Sequence, residues 1–180
     1  NLFMNPDLYI PKRPKQARSL RRYEKVLDAT EKILNDQGIQ AVSLKEVAKT
    51  ANLKRPSLYK FFPNTLSLLY ALSERHIEKI IKLFRRNTLE TKQMSIEWNI
   101  NLFIDLLSIH LNHNKIAASL IFSLNEIPKS LSINNQNHRL LATALLERLE
   151  TQNLVTSQYK IFISTQIALA VMSIGYREEE

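Results

Sequence analysis

The stretch SLKEVAKTANLKRPSLYKFF, residues 43–62, decides how the rest of the chain is read. Ser43 followed three residues later by Glu46 is a capping box, in which each side chain satisfies a free backbone donor at a helix start. Leu44, Val47, Ala48 and Ala51 then share one face of a short helix. Asn52 stands where that helix must stop, and Asn tolerates left-handed backbone better than other non-glycine residues. A second short helix is expected from Arg55 to Phe62, with Leu58 and Phe62 facing inward. Two short helices joined by such a turn form a helix-turn-helix when a longer helix precedes them for packing.

That longer helix is present upstream. Tyr23, Val26, Leu27, Thr30, Ile33 and Leu34 recur at helical spacing from Ser19 onward, with Arg22, Lys25, Asp28, Glu31 and Lys32 opposite. Gly38 is expected to end it in left-handed backbone, which costs a residue without Cβ nothing. Before it, residues 1–17 carry three prolines and the run Pro11, Lys12, Arg13, Pro14, Lys15, and read as a flexible basic arm ordered on a partner. Downstream, Leu66 to Arg86 reads as a long helix through Leu69, Leu72, Ile77, Ile80, Ile81 and Phe84. Coarser patterns place further helices near 93–112, 115–126, 135–152 and 157–176, so the fold class is all-α. The expected division is 1–17 arm, 18–64 helix-turn-helix domain and 65–180 helical effector-binding and dimerisation domain.

Charge is divided unevenly along the chain. The formal net charge is +8, but residues 1–90 hold 18 Lys and Arg against 9 Asp and Glu, while residues 91–180 hold 7 against 8. A cationic half joined to a near-neutral half is the footprint expected of a nucleic-acid reader attached to another module. With no cysteine, disulfides and thiolate-bound zinc are excluded. No signal-peptide pattern is seen, and the longest uncharged stretch, residues 161–176, is shorter than a membrane span needs; a cytoplasmic protein that does not enter membranes is expected. Phosphate loops, nucleophile elbows and metalloprotease motifs are missing, and His110 and His113 share a helix face without a carboxylate or cysteine to complete a ligand set. The expectation is therefore no enzyme, no metal and no cofactor.

In a helix-turn-helix the second helix enters the major groove of double-stranded DNA. Here its outer face carries Lys54, Arg55, Ser57, Tyr59 and Lys60, and no acid occurs between Glu46 and Glu74. From about Tyr23 to Leu72 the chain also resembles the TetR/AcrR transcriptional regulators, with Ala29, Leu34, Gly38, Ile39, Val42, Ser43, Leu44, Val47, Ala48, Ala51, Leu53, Leu58, Tyr59, Phe62 and Leu68 in that family's spacing. The resemblance implies a three-helix DNA-binding head, a larger C-terminal helical domain for effector binding and dimerisation, and in most cases a ligand-responsive repressor. Asn52 and Pro56 stand where the family usually has Gly, and both fit the backbone required. Thr65 replaces a usual Lys and Phe61 a frequent His or Tyr. Both positions commonly touch phosphate, so one contact is expected to fall to the Thr65 hydroxyl and nearby helix N-terminal amides.

Arg55 and Ser57 are the candidates for base edges, Arg55 as a fork on guanine O6 and N7, with Pro56 against a thymine methyl. Tyr59 is expected on phosphate, or else as a half-buried packing residue, and Lys54, Lys60, Lys45 and Ser43 position the head on the backbone, Lys45 with the equal alternative of a free surface lysine. Lys12, Arg13, Lys15 and Arg18 either enter an adjacent minor groove or attract phosphate without specificity. The resemblance assigns an effector pocket to the region holding Met94, Trp98, Phe103 and Phe122, although bulky apolar residues at helical spacing are more often core formers. One short recognition helix reads few base pairs, so a homodimer on a palindromic operator is expected, with Leu141, Leu145, Leu149 and the stretch Ile161 to Ile174 as its interface. The competing reading is a helical interaction protein whose basic head binds an acidic protein.

Overall fold

The computed structural model describes residues 10–91, 93–123 and 133–154, together with positions 157, 160, 161, 164, 165, 168, 169 and 172. Among these residues the chain is all-helical: α1 (Ala17–Gln37), a 3-10 turn (Ile39–Ala41), α2 (Leu44–Thr50), α3 (Arg55–Tyr59), α4 (Thr65–Thr88), α5 (Ile96–Asn112), α6 (Lys115–Ser123) and α7 (Ile133–Thr151). The described positions from 160 to 172 are helical as well. The chain divides into two compact units, Asn1–Ser73 and Glu74–Glu180, and α4 runs from one into the other.

In the first unit the α1 stripe is buried as its spacing requires, and the one polar member, Thr30, returns its hydroxyl to the Val26 carbonyl at 2.8 Å. Gly38 ends α1 with φ 80° and donates its N–H to Leu34, but its ψ of 177° is extended, not left-handed helical as the sequence suggested. A Cβ built there would meet nothing within 4 Å, so backbone conformation alone, not space, demands glycine. The extended step leads into the 3-10 turn, which delivers Val42 to the core.

The turn between α2 and α3 has a specific hydrogen-bond pattern. Leu53 N–H donates to the Ala48 carbonyl and Asn52 N–H to Lys49, each at 3.0 Å, with Asn52 at φ 49°. This is a Schellman closure with Asn in the position glycine usually fills. The same arrangement ends α7, where Leu154 donates to Leu149 and Asn153 to Glu150 around Asn153 at φ 57°. At α2 only half of the expected capping box forms: Ser43 Oγ accepts from the Glu46 N–H at 3.2 Å, while the Glu46 carboxylate meets Lys49 Nζ at 3.4 Å. A reciprocal box does form at α4, where Asn64 Oδ1 accepts from Ser67 N–H and Ser67 Oγ accepts from Asn64 N–H. Asn is thus the capping residue there, with Ser in the place of the usual Glu or Gln.

In the second unit the core is built from the far half of α4, α5, α6, α7 and the positions beyond, with Phe84 and Phe103 edge to face at 5.1 Å. Leu141, Leu145 and Leu149 lie inside this core, at 0%, 4% and 0% exposure. This corrects the expectation that they face a partner subunit: their i, i+4 spacing made one apolar stripe, and the subunit itself uses it. Of the stretch Ile161 to Ile174, Val171 and Ile174 lie outside the described residues, as do Phe162, Ile163, Ile167 and Ala170. A polar network closes the same unit. Buried Asn99 donates to Gln152 Oε1 at 2.8 Å and accepts from Arg148 Nε at 3.2 Å, and Arg148 Nη2 donates to the Thr91 carbonyl and hydroxyl at 3.0 and 2.6 Å.

Candidate nucleic-acid interface

Helix α3 is held by its apolar side and presents the other. Leu58 and Phe62 are fully buried, and Phe62 stacks on Tyr23 of α1 with ring centroids 4.8 Å apart. Phe61 joins the same cluster, edge-on to Tyr23 at 5.9 Å, and is itself buried. The residue that stands where the family often carries a phosphate-touching His or Tyr therefore belongs to the core. Helix α3 ends at Tyr59, three residues short of the expected Phe62, because Phe61 and Phe62 both donate their N–H groups to the Leu58 carbonyl, in a tightened last turn.

Lys54, in extended backbone, caps the start of α3, and Pro56 occupies its first turn, where a missing N–H is harmless. Lys54, Arg55, Pro56, Tyr59 and Lys60 are exposed and Ser57 is half-buried, so the structure brings these six predicted residues onto one short element. Lys45 is exposed on α2, Ser43 is half-buried with its hydroxyl already engaged at the cap, and Thr65 is half-buried at the first position of α4. One amide of that helix start, Ser67 N–H, is already taken by Asn64. Within α3, Arg55 Nη2 donates to Tyr59 Oη at 3.3 Å, and the guanidinium carbon lies 5.9 Å from the Tyr59 ring centroid. The i, i+4 spacing is a signal of the sequence; the contact itself is a finding of the structure.

The arm approaches the turn that follows α3. Lys12 N–H donates to the Phe61 carbonyl at 2.7 Å, fixing the chain path just before α1, with the Lys12, Arg13, Lys15 and Arg18 side chains exposed.

The second unit holds an apolar cavity of about 40 Å³, lined by Ile100, Phe103 and Leu107 of α5, Leu145 of α7, and Ser164 and Thr165 among others. Of the four predicted effector residues, Phe103 lines it; Phe122 is buried in the surrounding core, and Met94 and Trp98 are half-buried at and before the start of α5. The cavity is far smaller than the roughly 300 Å³ or more that encloses a drug-sized ligand. His110 meets His76 of α4, Nε2 to Nδ1 at 3.3 Å, instead of forming a pair with His113, whose Nδ1 is 2.8 Å from the Ile109 carbonyl. Burial first, then the positive charges of Lys79, His110 and Arg75, lower the His76 pKa from 6.5 to about 3. No group of three or more metal-ligating residues occurs among the described residues, and no helix there is long and apolar enough to cross a membrane.

Residues 26–72 match the sequence profile of the family described as bacterial regulatory proteins, tetR family. The transcriptional repressor KstR of Rhodococcus jostii is 32% identical over 77 residues, covering 41% of this chain and 36% of the relative. The chain thus spans about a third of the length of the curated relatives it matches. In overall fold it is similar to a TetR-family transcriptional regulator from Streptomyces coelicolor, with a TM-score of 0.65, 19% identity and coverage of 87% of this chain and 85% of that one. It is also similar to Thermus thermophilus FadR, a TetR-family repressor solved with lauroyl-CoA, with a TM-score of 0.60, 16% identity and coverage of 81% and 76%.

Proposed function

We propose that the chain, whose residues 26–72 match the tetR family of bacterial regulatory proteins, is a sequence-specific DNA-binding transcriptional regulator. One observation carries the reading. Helix α3 turns its apolar residues into the head and leaves Lys54, Arg55, Pro56, Tyr59 and Lys60 exposed, on a stretch with no acid from residue 47 to residue 73. An exposed, one-signed face on a helix following a tight turn fits a major groove, with Arg55 and Ser57 at base edges and the lysines on phosphates. Tyr59, Lys45, Ser43 and Thr65 complete the backbone contacts, and the fixed base of the arm directs Lys12, Arg13 and Lys15 to the flanking duplex. A regulator of bacterial transcription acts in the cytoplasm, where the chromosome lies.

The protein acts as a homodimer on a palindromic operator, since two heads about 34 Å apart reach successive major grooves. Because Leu141, Leu145 and Leu149 are internal, as are Ile161 and Leu169, the dimer contact falls to the outward face of α7, where Leu140 is 40% exposed. A small-molecule effector releases or recruits the DNA-binding state by binding one state better than the other. The apolar lining around Phe103 favours an aliphatic effector, and a cavity of this size must widen to admit one. Selection of bound sequences from a random duplex pool tests the central reading. Enrichment of an inverted repeat supports it; binding to acidic proteins with no duplex preference contradicts it.

A further inference from the structure

Arg55 and Tyr59 sit one turn apart on a helix of only five residues, and both are exposed. Their contact has two parts: Arg55 Nη2 donates to Tyr59 Oη at 3.3 Å, and the guanidinium carbon stands 5.9 Å from the ring centroid. The cation–π approach to the ring favours one region for the guanidinium, and the hydrogen bond limits how it is turned. The chain supplies no nearby sequence competitor, since no Asp or Glu occurs between Glu46 and Glu74. Guanidinium carries five N–H donors in a rigid fork, so one spent on Tyr59 leaves enough for a bidentate contact. Tyr59 Oη, in accepting, keeps its own proton free to donate.

We propose that Tyr59 is the positioning residue for Arg55, holding the guanidinium for base readout and so setting specificity at the base Arg55 reads. This rests on the DNA-binding reading above and goes beyond it, because a tyrosine that only touches phosphate adds affinity without selectivity. Positioning makes the tyrosine hydroxyl a specificity determinant although it touches no base. It also couples the two contacts: the same oxygen accepts from the base-reading arginine and donates to the backbone.

The test uses the full chain and two duplexes, the selected operator and one altered at the base that Arg55→Ala ceases to discriminate. Tyr59→Phe keeps the ring and removes only the oxygen. The expected result is a fall of about three- to tenfold in the affinity ratio between the two duplexes, an unchanged salt slope because no charge is lost, and no further change of the ratio when Tyr59→Phe is added to Arg55→Ala. In the free protein, the Arg55 Nε–H NMR relaxation should report greater side-chain motion in Tyr59→Phe than in the parent. Equal weakening on both duplexes with the ratio intact would make Tyr59 a phosphate contact alone and overturn the inference. A sharper ratio in Tyr59→Phe would make the pair a restraint that opposes readout, which also overturns it. If the parent protein itself prefers no duplex, the DNA-binding reading fails, and the inference fails with it.

Discussion

His76 Nδ1 stands 3.3 Å from His110 Nε2, joining α4 to α5 through a fully buried imidazole. Burial and the charges of Lys79, His110 and Arg75 keep His76 neutral, with its pKa lowered from 6.5 to about 3. Between these two values the unfolded chain binds a proton that the folded chain does not, so stability falls as pH drops below about 6.5 and is fully retained above it. His138, also lowered by burial, acts in the same direction. Urea unfolding at pH 7 and pH 5 should show a loss of up to about 1.4 kcal/mol per pH unit for each such histidine. The dependence should be shallower in His76→Leu; equal slopes in variant and parent would contradict the assignment.

Asn52 carries the turn of the candidate interface at φ 49°. Asn52→Gly should leave stability within about 0.5 kcal/mol of the parent, whereas Asn52→Val should cost about 1–2 kcal/mol, because a β-branched side chain clashes in left-handed backbone. Thermal unfolding followed by circular dichroism measures both. A harmless Asn52→Val would show that the turn is not held as described.

Much of the head was legible in the sequence because its signals are local. Ser43, Asn52 and the α1 stripe each act within a few residues, and α2 follows from Leu44, Val47 and Ala48 alone. What depended on distant packing was not legible. Phe61 stands at a position the resemblance assigns to phosphate contact, and only its packing on Tyr23 makes it a core residue; the 3-10 turn after Gly38 follows from a ψ value that no residue type announces. In the second unit, the stripe of Leu141, Leu145 and Leu149 states that a face is covered, not by what. The His76–His110 pair joins residues 34 positions apart, and only the fold brings them together.

Asn99 is the hinge of the buried network linking Arg148, Gln152 and Thr91. Asn99→Leu removes the partner of two polar groups and should destabilise the second unit by about 2–4 kcal/mol, more than a buried methyl deletion. Denaturant unfolding read through Trp98, the single tryptophan, follows that unit directly. A cost under about 0.5 kcal/mol would mean that water replaces the lost contacts.

Leu149 and Leu140 lie on opposite sides of α7 in exposure, at 0% and 40%. Leu149→Ala should cost about 2–5 kcal/mol of subunit stability while leaving the folded protein dimeric. Leu140→Glu should leave the fold intact and weaken self-association. Sedimentation at micromolar concentration separates the two; dissociation by Leu149→Ala without loss of stability would reverse the assignment.

The most direct test of the account is the salt dependence of binding to a duplex selected by the protein itself. Neutralising several phosphates with Lys54, Lys60, Lys45 and the arm releases counterions, so affinity should fall about a thousandfold or more between roughly 50 and 200 mM salt. Lys60→Ala should reduce that slope by about one while keeping base preference. An affinity that hardly changes across this range, or a selection that returns no preferred sequence, would contradict the claim that the exposed face of α3 reads DNA.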